Sequence, residues 1–335
     1  MTRPNGLLFL CGSLALSSAL GAQVSPHVRA LPKVATGAFG NFDLSLPSAR
    51  NWRVQCWYSG SNLPTSYVIR EIGLRQSSRM RTSGAAADLQ IRLENSSETF
   101  GSLSPNPDDN LTAAAVEAFN DRLTVPSTQA SSDPNQELVW IPLNSPFVFT
   151  GPHLIVDFNV LRQVGGLAID GLVQLGTPNL FLSAGSSCGG TLSGTARSAA
   201  GLTTFTYGLS GANGSAPAGI LLGLENVASG PLRYPLDLGP LLGLNGCELG
   251  LEVIASAPIT TNPAGEGDVS YSLPRGTPFT LSAQCFFLTP TPSVSTTNVL
   301  NTIGGNTDLA NGIAVAGAAR FGPAPYNASL VLLVR

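Results

Sequence analysis

The sequence predicts an all-β protein: two β-sandwich domains of jelly-roll type behind a cleaved leader, with at most one short helix. Three observations carry that expectation. Between Pro231 and Thr289 apolar residues recur at every second position: Cys247, Leu249, Leu251 and Val253, then Val269, Tyr271 and Leu273, then Phe279, Leu281, Ala283, Cys285 and Phe287. A strand sends successive side chains to opposite faces, so this spacing makes sheets with one packed face and one wet face. The 37 glycines and 25 prolines punctuate a chain that is 43% apolar with a net charge of only −3, which implies short strands joined by tight turns rather than disorder. The 335 residues suffice for two cores, and the expected division is a leader over 1–22, one sandwich over 23–180 and a second over 181–335.

The leader has Arg3 before an apolar run, Leu7 to Leu20, that is broken by glycine and serines and closed by Ala19-Leu-Gly-Ala22. That is the pattern of a signal peptide cut after Gly21 or Ala22. It is too short and too rich in serine to span a bilayer. Cys11 does not make it a lipoprotein signal, because Leu10 stands where a small residue is needed. The expected location is therefore outside the cytoplasm, either periplasmic or extracellular and at the cell surface, with no transmembrane span in the mature chain.

Within the first sandwich the expected strands are Trp52–Tyr58, Tyr67–Arg75, Leu89–Leu93, Leu138–Leu143 and Leu154–Val160. Phe100 to Asn110 has loop composition. Ala113–Leu123 is the one candidate helix, with Val116, Phe119 and Leu123 at i, i+3 and i+7. Arg70, Arg75, Arg79 and Arg81 gather around one strand and its turn, and an exposed strand edge accounts for them better than an anion site does. With charged residues at 11% and one lysine, Lys33, the chain has no basic stripe for nucleic acid.

A glycine-rich passage from Gly165 to Gly190 leads into the second sandwich, where Phe205, Tyr207 and Leu209 alternate with polar residues. Ile313–Val315 and Leu330–Val334 read as its closing strands. Without Cys11, four cysteines remain, and an oxidising compartment allows three full pairings. Cys188 and Cys247 lie in turns at strand ends, where a bridge would hold a sandwich closed. Their bond would be worth on the order of 4 kcal/mol. Cys56 and Cys285 lie in mid-strand, in phase with apolar neighbours, and read as buried free thiols.

The segments Ser187-Cys-Gly-Gly-Thr191, Tyr234-Pro-Leu-Asp-Leu238, Gly246-Cys-Glu-Leu249, Phe279-Thr-Leu-Ser-Ala-Gln284 and Ser295-Thr-Thr-Asn-Val-Leu300 carry a resemblance. Together they resemble the C-terminal module of a group of uncharacterised exported proteins of planctomycete-type bacteria. The part from Arg53 to Phe158 is similar to the sandwich that precedes that module. The resemblance implies export, β-sandwiches, paired cysteines and no known activity. In two places the chain departs from the pattern: Cys285 is unusual for the group, and the chain continues past the usual end of the module.

Several constellations bear on chemistry. Gly185-Ser-Ser-Cys-Gly189 matches G-x-S-x-G, but a nucleophile elbow needs a following helix and a later base, and no histidine follows His153. His27 and His153 are the only histidines, and there is no C-x-x-C, so zinc is not expected. Asp108 and Asp109 form the best acidic cluster and are the candidate calcium ligands, although Asp, Asn and Pro also make ordinary turns. Glu248 and Glu252 would stand about 13 Å apart along a strand, too far for a glycosidase pair. Trp57 has the parity opposite to Trp52, Val54 and Cys56, so one of these tryptophans is expected to face water. Trp57 and Trp140 are therefore the candidate sugar contacts. The resulting expectation is a secreted, non-enzymatic structural, surface or adhesion protein of the envelope, without cofactor, whose partners are envelope proteins or polysaccharide. A carbohydrate-binding module is the alternative and a hydrolase the remote one.

Overall fold

A computed structural model of the protein describes residues 28–335 except 33–34, 36–37, 41, 47–50, 65, 100, 132–135, 174–178, 225–233, 290–292, 306–309, 317–318 and 322–327. The expected leader, Cys11 and His27 lie outside the described residues. The first run of strands is β1 (Arg29–Leu31), β2 (Phe42–Leu46), β3 (Trp52–Ser59), β4 (Tyr67–Arg75), β5 (Thr82–Ser96), β6 (Val116–Thr128), β7 (Glu137–Phe149), β8 (His153–Val164) and β9 (Leu167–Val173). The second is β10 (Asn179–Ala184), β11 (Thr191–Ala199), β12 (Leu202–Ser210), β13 (Pro217–Leu224), β14 (Leu236–Asp237), β15 (Glu248–Leu249), β16 (Glu252–Thr260), β17 (Gly267–Pro274), β18 (Phe279–Leu288) and β19 (Val294–Gly304). The chain closes with β20 (Ala310–Ala316), β21 (Ala319–Phe321), β22 (Ala328–Leu330) and β23 (Leu332–Val334). Among the described residues the only α-helix is the single turn α1 (Gly239–Leu242), so the architecture is all-β. None of the helices there is long and apolar enough to cross a membrane.

The first sandwich packs a six-stranded sheet, β21-β20-β3-β8-β5-β6, against a four-stranded one, β1-β23-β4-β7, with β2-β9-β22 alongside. Alternation drives this packing. Trp52, Val54, Cys56 and Tyr58 of β3 and Leu154, Val156, Phe158 and Val160 of β8 point to one core, which Ile69, Ile72, Ile141 and Phe149 fill from the other side. The second sandwich packs β10-β19-β18-β13-β16 against β11-β12-β17 around Phe205, Tyr207, Ile220, Cys285 and Phe287. Tyr207 Oη in that core bonds Thr302 Oγ1 at 2.6 Å and Tyr271 Oη at 2.8 Å, which satisfies a buried polar group in the manner a core requires.

The closing strands differ from expectation. β20 pairs with β3, β22 with β9, and β23 lies between β1 and β4, so these closing strands complete the first sandwich rather than the second. The second sandwich is inserted into the first. Its entry and exit strands run antiparallel, with Asn179 opposite Gly304. Short apolar runs such as Ile313–Val315 specify a strand but not its neighbour, and here the neighbour is more than 250 residues away.

The candidate helix is also a strand, β6. Its pairing with β5 shifts between Ile91 and Arg92, where Ala118 is the extra residue. This bulge puts Val116 and Phe119 on one face three residues apart, and normal alternation adds Leu123 four further on. The helical spacing was the imprint of a bulge. In the same way the alternation Cys247 to Val253 is not one strand. It breaks at Gly250, with β15 pairing to β14 and β16 to β13.

Cys188 and Cys247 are joined, with Cα atoms 4.9 Å apart, and Cys56 and Cys285 are buried free thiols. The bridge ties the turn between β10 and β11 to the short β14–α1–β15 flap. Gln284 pins the same flap, its Nε2 donating to Glu248 O at 2.8 Å and its Oε1 accepting from Gly250 N at 3.0 Å.

Candidate functional site

A dense group of polar and charged side chains lies on the outer side of the six-stranded sheet. β3 contributes Arg53 and Gln55, β8 contributes Asp157 and Asn159, and β5 contributes Gln90 and Arg92. All lie on the parity opposite to the core residues, so they form rows across neighbouring strands, with Gln55 and Arg92 both opposite Asp157. Asp157 is fully buried in the middle of the group. Arg53 Nε donates to its Oδ1 at 2.7 Å, and Arg92 Nη2 to its Oδ2 at 2.8 Å. Burial by itself would lower the Arg53 pKa, but hydrogen bonds to Asp157 and Asp108 outweigh it and raise the value. Asp157, Asp108 and the two arginines thus form a neutral, charge-assisted cluster.

The segment after β5 lies over one end of this face. Leu103 and Leu111 cover Trp57 and Ile155, and Gln55 reaches up to Pro107 O at 3.1 Å and to Asn110 Nδ2 at 2.7 Å. Trp57 does have the outer parity expected from the sequence, yet it is only 1% exposed, and its indole donates to Glu98 O at 2.8 Å. Parity identifies the face of a sheet but not what lies on top of it. Trp57 is therefore no exposed platform, and Trp52 is buried in the core. Trp140 is half-buried on β7 with the Arg335 guanidinium 4.2 Å from its ring centre.

Asp108 and Asp109 sit in a short 3-10 turn, Pro107–Asn110, within the covering segment. Asp108 is 2.8 Å from Arg53 and 3.8 Å from Arg92, and the Arg53 hydrogen bond lowers its pKa. Asp109 accepts from Ser104 Oγ at 3.0 Å and from Asn106 Nδ2 at 2.9 Å. Two guanidinium groups beside one carboxylate oppose a cation, and turn-forming bonds occupy the other, so the calcium expectation has no geometric support here. Among the described residues no group of three or more His, Cys, Asp or Glu could hold a metal ion.

The remaining chemical candidates are also engaged in structural contacts. Ser187 Oγ donates to the carbonyls of Gly189 and Gly190 at 2.9 and 2.6 Å, closing the turn that carries the disulfide, so the G-x-S-x-G match is a turn. His153 accepts from Gly60 N at 3.3 Å and packs 4.6 Å from the Trp57 ring. Glu248 accepts from Ser186 Oγ at 3.0 Å. The uncovered end of the face carries Gln90, Glu117, Asn120 and Asn159. Gln90 donates to Glu117 at 2.5 Å and Asn120 to Glu117 at 3.0 Å, bonds that lower the Glu117 pKa, with the Asn120 bond first. Such a row can bind a polar ligand through amides and a carboxylate. Sequence reading did not single it out, because period-2 polar residues look the same on any wet face.

No family model and no curated protein matches the chain. Among solved structures it is similar to a beta-glucuronidase of Lactobacillus rhamnosus (10% identity, 82% of this chain, 37% of that one, TM-score 0.19). It is also similar to beta-glucuronidases of Bifidobacterium dentium (8%, 81% and 42%, TM-score 0.20) and Ruminococcus gnavus (8%, 85% and 42%, TM-score 0.19). The chain spans about two-fifths of the length of these proteins. At such scores the likeness carries no argument.

Proposed function

We propose that the protein is an exported structural or adhesive component of the cell envelope that binds and holds rather than transforms. The observation that carries this reading is the commitment of its reactive groups. Ser187, His153, Asp108 and Asp157 each serve a turn, a packed ring or an ion pair. The Cys188–Cys247 bond supports the export part, since structural disulfides persist in oxidising compartments. The test is fractionation of the native host followed by a substrate panel. Recovery with the envelope and no turnover of ester or glycoside substrates is the expected result, and measurable turnover abolished by Ser187→Ala or Asp157→Asn would overturn it.

One observation favours polysaccharide as the bound partner: the open row of Gln90, Glu117, Asn120 and Asn159. On this reading Glu117→Ala with Asn120→Ala abolishes retention on insoluble polysaccharide, while Trp140→Ala leaves it unchanged. Retention that survives the double substitution removes this row as the contact.

A further inference from the structure

Arg75 stands among arginines that read as a solvated edge, yet it is fully buried at the end of β4 beside an equally buried Asp170 of β9. Its Nε and Nη2 donate to Asp170 Oδ2 at 2.8 and 2.5 Å. The other donors go to main chain: Nη1 to Ala35 O at 2.6 Å and Nη2 to Ala38 O at 2.5 Å. Asp170 in turn accepts from Gly40 N at 3.0 Å, and its own carbonyl accepts from Val331 N at 3.0 Å. Four separate stretches of chain meet on this one pair.

The stretch so held, containing Ala35, Ala38 and Gly40, is also one of the parts of the first sandwich that touch the second. Ala38 forms a β-bridge with Ala184 of β10. Ala35 and Ala38, with Leu172 and Val331, pack against Leu182, Val299 and Ile303 on the outer face of the five-stranded sheet. A buried ion pair gives little net stability compared with apolar residues of equal volume, and its best-attested use is to specify one arrangement.

We infer that the Arg75–Asp170 pair is an inter-domain clamp: it fixes the strap of Ala35, Ala38 and Gly40, and the strap locks the inserted sandwich against its host. Gly40 supplies a second handle. A Cβ there would run into the carbonyl of Gly171, so Gly40→Ala displaces the strap and leaves both charges in place.

The test compares the full chain with R75M/D170L, which removes both charges together and leaves neither unpaired, and with G40A. The amides of Ala35 and Ala38 donate to Pro32 O at 3.0 Å and Ala35 O at 3.2 Å, so their hydrogen exchange reports on strap release. Expected for each variant are unchanged far-ultraviolet dichroism, hydrogen exchange at the Ala35 and Ala38 amides faster by roughly tenfold or more, a larger maximum dimension in X-ray scattering, and two thermal transitions where the parent has one. Parent-like exchange, scattering and a single transition in both variants would overturn the clamp. So would a parent chain that already shows two independent transitions. If R75M/D170L does not fold, G40A decides by the same three readouts.

Discussion

The indole nitrogen of Trp57 bonds the carbonyl of Glu98 at 2.8 Å, and this contact turns an outward-facing aromatic into the seat of the segment that covers it. Trp57→Ala removes that seat along with the contacts to Leu103 and Ile155. The expected cost is about 3–5 kcal/mol, read as a lower urea midpoint, while binding to polysaccharide per folded molecule stays the same. Loss of binding at unchanged stability would return Trp57 to the surface.

The cysteines divide by environment. Burial raises the Cys56 pKa to about 11 and the Cys285 pKa to about 12. Neither thiol should react with iodoacetamide at pH 8 in the folded protein, and both should react in denaturant. Mass mapping without reduction should show one peptide pair joined through Cys188 and Cys247. Reducing that bond, which closes a sequence separation of 59, should cost about 2–4 kcal/mol in unfolding free energy.

Acid should act weakly through Asp108. The Arg53 hydrogen bond lowers its pKa in the folded state, so the stabilisation is present above the unfolded pKa of about 4 and is lost as pH falls through the lower folded value. The side chain is 70% exposed, which limits the effect to less than about 1 kcal/mol. In Asp108→Asn the acid limb of a stability–pH curve should be shallower by that amount, with no change in the limb above neutrality.

The closing strands should matter chiefly for the first sandwich, since of residues 329–334 only Val331 packs in the cluster that reaches the second. Residues 329–334 are buried, and Tyr58 Oη donates to Leu330 O at 2.8 Å. Truncation before Ala328 should therefore abolish the cooperative melting of the first sandwich, while the strand amides of β12, β13, β18 and β19 keep their protection from hydrogen exchange. Loss of protection throughout would mean that the inserted sandwich depends on its host.

Much of this protein can be read from local pattern. Period-2 stretches such as Leu154–Val160 and Phe279–Phe287 already specify strands, a packed face and hence sandwiches, because alternation is a property of the extended backbone itself. The turn positions of Cys188 and Cys247, set against the mid-strand Cys56 and Cys285, likewise sort bridge from free thiol. What local pattern lacks is any record of partners distant in sequence. Only the tertiary structure decides that Leu332–Val334 lies between β1 and β4, that the segment after β5 covers Trp57, and that Arg75 is enclosed with Asp170 while its neighbours in sequence border the turn. Each depends on chain segments brought together by folding, where exclusion of water, rather than residue type, determines what a side chain does.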